Sequence, residues 1–306
     1  LHTSSYASDG MTPQIYFEWE FSEKTLQGGT AGSSSTQGGK QLSIALLENA
    51  LNLFIERHVT FRSIVTTHGT MKPLEELPKY TLPANHIHLW DGSKEAATSS
   101  VKQFRREMMT QFTTVHQWPL FEVRVTETSE LTSVIHIAVS LFLMDAMSDL
   151  ILRQELSALY RSLHIYGDSK DPLTSLPVRA KISFKDYCIA MTEQLPTSIE
   201  YHRAKQYWLG RLSSLKTGPE LPQLPPSSSS VEVKRSGNFT NRHLWLTAAE
   251  YSRAKKNCAY HSVTMPSVLL ASYAIALSRY SSSKEFLLNI LLCLRHQVHE
   301  DVNKLV

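Results

Sequence analysis

The residues best placed to do chemistry gather where an apolar run breaks. VSLFLMDAMSDLILRQELSALY, Val139 to Tyr160, contains Ser140, Asp145 and Ser148. A carboxylate between a buried strand and a helix must be protonated, bonded to backbone N–H groups, or paired with an arginine. The positive end of the following helix favours an acid at Asp145. Ser148 is of the residue type that caps a helix N-terminus, and a cap is its expected role. Arg62, in RHVTFRS, stands at a helix-to-strand junction from which it can reach inward, so a fixed Asp145–Arg62 ion pair is one way to hold the acid.

The histidines suggest other chemistry, weakly. His86-Ile-His88 alternates like a strand and can present two imidazoles on one side, but no third metal ligand stands nearby, and edge residues are the simpler reading. His58 follows Arg57 at a helix end, where favourable interaction with the helix dipole suffices to explain it. His136 lies deep in a strand, nine residues before Asp145, and so makes no HxxxD pair with it. No G-x-S-x-G elbow, P-loop or G-x-G-x-x-G occurs, which removes the serine-hydrolase and nucleotide-binding readings.

The elements that must carry these residues alternate between strand and helix. QIYFEWEF, from Gln14, alternates apolar and polar as a half-buried strand does. The stretch GGTAGSSSTQGG, 28–39, reads as a surface loop, and residues from about Leu42 to His58 form an amphipathic helix. A strand is expected near 62–67 and a helix over 99–112. WPLFEVRVTET and VIHIAVSLFLM are apolar enough for strands inside a sheet. The next helix repeats Leu152, Leu156, Leu159 and Leu163 at helical spacing. Two further helices follow, FKDYCIAMTEQ and IEYHRAKQYWLGRL, then a Pro/Ser-rich connector over 221–237. NRHLWL reads as a strand before two more helices, and EFLLNILLCL as a last strand. The chain is therefore expected to be α/β, with an N-terminal lobe over 1–180 and a second over 181–306.

Bulk properties narrow the function classes. A length of 306 residues with 42% hydrophobic and 19% charged content describes a folded protein with a substantial core. The balance of 31 basic against 28 acidic residues lacks the concentrated positive charge that nucleic acid requires. Arg253-Ala-Lys255-Lys256 reads as the wet face of a helix. Cys188, Cys258 and Cys293 are far apart and odd in number, which favours reduced thiols in a cytosolic protein. The Asn238-Phe239-Thr240 sequon matters only in a secreted chain. The first residues lack the order of a signal peptide, and the apolar runs fall short of the roughly 20 residues of a membrane helix. A soluble, cytoplasmic protein is expected.

Several stretches, in order, resemble one family. ERHVTFRS is similar to its RHxxLR element, and FRREMMTQFTTVHQWPLFEVRV to its helix and WPLFE strand. FKDYCIAMTEQ with RAKQYWLGRLSSLKTGPELPQLP resembles its DY…YW…RL…PxLP region, and SVTMPSVLLASYAIALSRYSSSKEFLLNILLCLR its TPS helix and following strand. The family is the heterocyclization branch of nonribosomal peptide synthetase condensation domains. Its signature is Asp, four residues, Asp, two residues, Ser; Asp145 and Ser148 match the second and third positions, and Ser140 replaces the first aspartate.

The resemblance implies two chloramphenicol-acetyltransferase-like lobes with a tunnel between them, the second lobe being truncated here. It implies catalytic positions at Asp145, Ser148 and Ser140. The implied partners are carrier protein domains, which present acyl and aminoacyl thioesters on phosphopantetheine arms, and the adenylation domain of a synthetase. The domain itself is expected to bind no cofactor, metal, nucleic acid or membrane. The implied reaction joins an acyl group to Cys, Ser or Thr, then closes the side chain onto the amide with loss of water, giving a thiazoline or oxazoline. The opening segment and the later second-lobe motifs of the family are expected to be missing, and Ser140 raises the alternative of a non-catalytic, carrier-binding scaffold.

Overall fold

The computed structural model describes residues 14–22, 41–110, 114–222, 244–290, 292 and 295–306. The loop at 28–39, the sequon, most of the connector and Cys293 lie outside them. By compactness the chain forms two units, Leu1–Glu193 together with Cys293–Val306, and Gln194–Leu292. The first unit is thus discontinuous: its last residues arrive from beyond the second, whereas the sequence reading places one cut near 180.

The first unit is built on a sheet of β1 (Gln14–Ser22), β6 (Thr132–Ser140), β5 (Phe121–Glu127) and β4 (Ile87–His88), in that order. β1–β6 and β6–β5 are antiparallel, and β5–β4 is parallel. A small hairpin joins β2 (Ser63–Val65) to β3 (Met71–Pro73). Side chains alternate between faces along a strand, so β6 splits into two sets. Ile135, Ile137 and Val139 join Phe121, Val123 and Val125 of β5 in the main core. Helices α1 (Ile44–Arg57) and α3 (Ala146–Tyr166) close that core with Leu47, Leu51, Phe54, Leu152, Leu156 and Leu159. The leucine repeat read from the sequence is this buried stripe. On the other face, His136 of β6 meets Phe104 of α2 (Lys94–Thr110), ring centroids 5.6 Å apart.

Local signals fix the helix ends. Ser43 caps α1, accepting from the Leu46 amide at 3.4 Å, and its own amide donates to the Tyr160 hydroxyl at 2.9 Å, which ties α1 to α3. Gly167, at φ +51°, ends α3 by donating its N–H to the Leu163 carbonyl. The described segment 295–306 lies in the first unit with Val302 fully buried, and the Thr60 hydroxyl donates to the Val306 carbonyl at 3.0 Å.

Three expectations need correction. β6 ends at Ser140 rather than running through LFLM, because Leu141–Leu143 form a turn closed by the Leu143 amide on the Ser140 carbonyl at 2.9 Å. In the second unit, residues 244–247 and 285–290 are not strands. Among the described residues they have no strand to pair with, and the Leu287 amide bonds instead to the Thr217 carbonyl at 2.9 Å. The regular structure described in that unit is helical: α5 (Ile199–Arg211), α6 (Ala248–Tyr260) and α7 (Met265–Tyr280), with the shorter α4 (Phe184–Ile189) preceding it in the first unit. Arg253, Lys255 and Lys256 are exposed on α6, as a wet face requires. No single described helix is long and apolar enough to cross a membrane.

Candidate functional site

The site grows from the turn between β6 and α3. The Ser140 amide donates to the Leu120 carbonyl at 2.9 Å, which fixes the end of β6. Ser140 is only 1% exposed, and its Oγ accepts from the Phe142 amide at 3.3 Å, a serine turn in which the hydroxyl replaces a backbone acceptor. Five residues on, Asp145 is the N-cap of α3, with its Oδ1 accepting from the Ser148 amide at 2.8 Å. The cap is therefore Asp145, and Ser148 lies in the first turn. Asp outranks Ser here because its charge also meets the helix dipole.

Ser148 is 1% exposed and completes the motif from inside. Its hydroxyl donates to Asp145 Oδ1 at 2.9 Å and accepts from Arg295 Nη2 at 3.0 Å. Arg295 grips Asp145 itself through Nη2 to Oδ1 at 2.6 Å and Nε to Oδ2 at 2.9 Å. Its Nη1 donates to the carbonyls of Val302 and Leu305 at 2.9 and 2.7 Å. The ion pair is thus Asp145–Arg295, not Asp145–Arg62. Arg62 closes the short turn Val59–Arg62 and uses its carbonyl to accept from the Leu74 amide at 2.8 Å. Its buried Nε makes no hydrogen bond among the described residues.

The electrostatics follow from this geometry. Burial opposes the Asp145 charge, but Arg295 and the two Ser148 bonds outweigh it, lowering the carboxyl to about 2. It is ionised at neutral pH and is too weak a base to take protons there. The Asp145 side chain remains 52% exposed while Arg295 is 8% exposed, so a fixed negative edge faces outward from a buried guanidinium.

The histidines are occupied elsewhere. His136 is fully buried, with Nδ1 2.7 Å from the Tyr16 hydroxyl and Nε2 3.2 Å from Thr126 Oγ1. Both ring nitrogens are engaged on the α2 face of the sheet, so it cannot serve as an open base. The Tyr16 hydroxyl donates to Glu18 at 2.6 Å, and Arg105 holds both oxygens of Glu18 at 2.7 Å. His86 faces the Glu122 carboxylate at 3.4 Å, and burial lowers its pKa. His58 does more than cap a dipole: its Nε2 lies 2.7 Å from the buried Glu155 of α3, beside Arg57 at 3.0 Å. Sequence reasoning missed Arg295 because 150 positions separate it from Asp145, and its only local signal is an arginine directly after an apolar run.

A strand, a five-residue turn ending in a capping aspartate, and a serine three positions later held by one arginine make a defined constellation. The family described as Condensation domain matches residues 33–306. This chain belongs to the condensation-domain family. Its sequence is similar to bacitracin synthase 1 of Bacillus licheniformis, 27% identical over 281 residues, covering 91% of this chain and 5% of that protein. It is also similar to phenyloxazoline synthase MbtB of Mycobacterium tuberculosis, 28% identical over 189 residues, covering 61% of this chain and 12% of that protein. This condensation-family chain therefore spans a small fraction of the curated relatives it matches. Its fold is like that of the EpoB cyclization-docking bidomain from Sorangium cellulosum, with a TM-score of 0.73 at 23% identity, covering 99% of this chain and 56% of that one. The α/β condensation-domain fold expected from the sequence is the fold observed.

Proposed function

We propose that this chain is a condensation domain of the heterocyclization type, working within a nonribosomal peptide synthetase. The observation that carries this reading is the Asp145-x-x-Ser148 pair clamped by Arg295, in a turn that offers no histidine. A condensation mechanism built on a histidine base has no candidate in this turn, since residues 141–145 read Leu-Phe-Leu-Met-Asp and His136 is sealed in the sheet. The phenyloxazoline synthase name of one relative supports ring formation as the second step.

The reaction runs in two stages. The amine of a carrier-bound Cys, Ser or Thr attacks the carbonyl of a carrier-bound acyl thioester, and the pantetheine thiol leaves. The side-chain thiol or hydroxyl then adds to the new amide carbon, and its oxygen departs as water to give thiazoline or oxazoline. Carrier and adenylation domains of a synthetase are the partners. The domain binds no cofactor of its own, and the substrates ride on the carriers' phosphopantetheine. Holding two thioesters in line raises their effective concentration, and excluding water prevents hydrolysis. Asp145 and Ser148 act as positioning residues that fix the turn, and Ser140 closes it.

The test incubates the synthetase module that contains this chain with loaded carriers and follows product mass. Amide that has lost water supports the reading, and amide alone means condensation without ring closure. Absence of product favours a second reading, a non-catalytic scaffold that binds carriers, for which the specific observation is Ser140 at the position of the signature's first aspartate. Ser140→Asp in the same assay separates the two: a gain of product ties the loss to this residue, and no gain from a variant whose circular dichroism shows it folded frees Ser140 from blame.

A further inference from the structure

Helix α2 is footed on the sheet differently from α1 and α3. Those two share the main apolar core, and no described side chain of α2 belongs to it. The apolar side chains that α2 buries are Ala97, Phe104 and Met108. The rest of its footing is polar. Arg105 grips Glu18 of β1 through two bonds of 2.7 Å, and Glu107 pairs with Arg124 of β5. The Ser100 hydroxyl lies 3.2 Å from that of Thr126, and the Arg124 guanidinium covers the Phe104 ring at 4.9 Å. At its C-terminal end, the Met108 carbonyl accepts from Gln14 Nε2 at 2.6 Å, and Gln14 is the residue opposite Ser140 in the β1–β6 register.

We infer that α2 is a separately releasable cover over the sheet face that ends at Ser140, held by ion pairs and loosened by ionic strength while the α1–α3 core stays closed. Arg105 is about half exposed, so its attraction to Glu18 is open to screening, while the Glu107–Arg124 pair, with its arginine buried, is screened less and apolar burial under α1 and α3 is not weakened by salt. Local opening follows local footing, and a helix with few apolar anchors opens before its neighbours. Release of α2 would remove the Gln14–Met108 bond beside the Ser140 end of the sheet. This inference does not depend on the reaction proposed above.

Hydrogen exchange of the full chain, read by mass spectrometry on peptides from α1, α2 and α3, tests it. Raising sodium chloride from about 0.05 to about 1 M should speed exchange in α2 about fivefold and leave α1 and α3 unchanged. Glu18→Gln should give fast α2 exchange already at low salt and remove most of the salt response. Exchange in α2 that ignores salt, or that rises equally in all three helices, overturns the inference. Should E18Q fail to fold, the salt series on the unaltered chain decides alone.

Discussion

Arg295 and Asp145 are 150 residues apart in sequence and joined side by side in space, guanidinium to carboxylate, at 2.6 and 2.9 Å. All five N–H donors of Arg295 are used: two on Asp145, one on Ser148, and two on the carbonyls of Val302 and Leu305. The arginine therefore fastens the 295–306 segment to the β6–α3 turn, and orders both.

Arg295→Lys keeps the charge but has neither the planar fork nor enough donors. It should cost about 1–3 kcal/mol in urea unfolding, a range reduced from that of a buried pair because the Asp145 side is half exposed. Arg295→Ala should cost at least as much. A midpoint equal to that of the parent in both variants would show the clamp to be idle.

Asp145→Asn separates charge from capping, since Asn caps a helix nearly as well. The Asp145 carboxyl, lowered to about 2, binds protons less readily folded than unfolded. Its charge thus stabilises above the unfolded value near 4, and that contribution fades as pH falls toward 2. The stability difference between parent and D145N should be constant from neutral pH to about 5 and should shrink below about 4. Denaturation midpoints measured across this range would expose a flat difference, which the ion pair cannot produce.

Ser140→Ala removes the acceptor for the Phe142 amide and should cost about 1 kcal/mol. Ser140→Asp can accept the same bond but places a carboxylate where the side chain is 1% exposed. It should lose about 1–3 kcal/mol at pH 7 and recover part of it on acidification, as the buried acid takes up a proton. Full stability of S140D at pH 7 would mean that a cation reaches the position and that an aspartate there is accommodated.

The Tyr16–His136 bond allows a prediction about a proton. Tyr16 has one hydroxyl proton, and Glu18 can only accept, because although burial opposes its charge, His136, Arg105 and Tyr16 hold its carboxyl ionised well below the usual range. The tyrosine oxygen must then accept from His136 Nδ1–H, while Nε2 lies 3.2 Å from the Thr126 hydroxyl. Nitrogen NMR should find His136 protonated at Nδ1, and Tyr16→Phe should cost about 1–2 kcal/mol by leaving that buried donor unpaired. An Nε2–H tautomer would reverse the assigned direction of the chain.

What the sequence determined by itself is what short-range pattern can encode. The leucine spacing in α3 and the alternation of β1 act within a few positions, and both appear in the structure, whereas the cap of α3, expected at Ser148, is Asp145. The ordered stretches also placed the chain in the condensation superfamily, which the family match supports. Tertiary structure decided the rest. Which arginine reaches Asp145 depends on how residue 295 returns to the first unit, and no local spacing favours it over Arg62. Whether EFLLNILLCL becomes a strand depends on a neighbour to receive its hydrogen bonds, because a strand is stable only in a pair. The opening aspartate shows both sides: its helix-end position was legible from Asp145 and the residues after it, but its charge is held by a residue that only folding brings near.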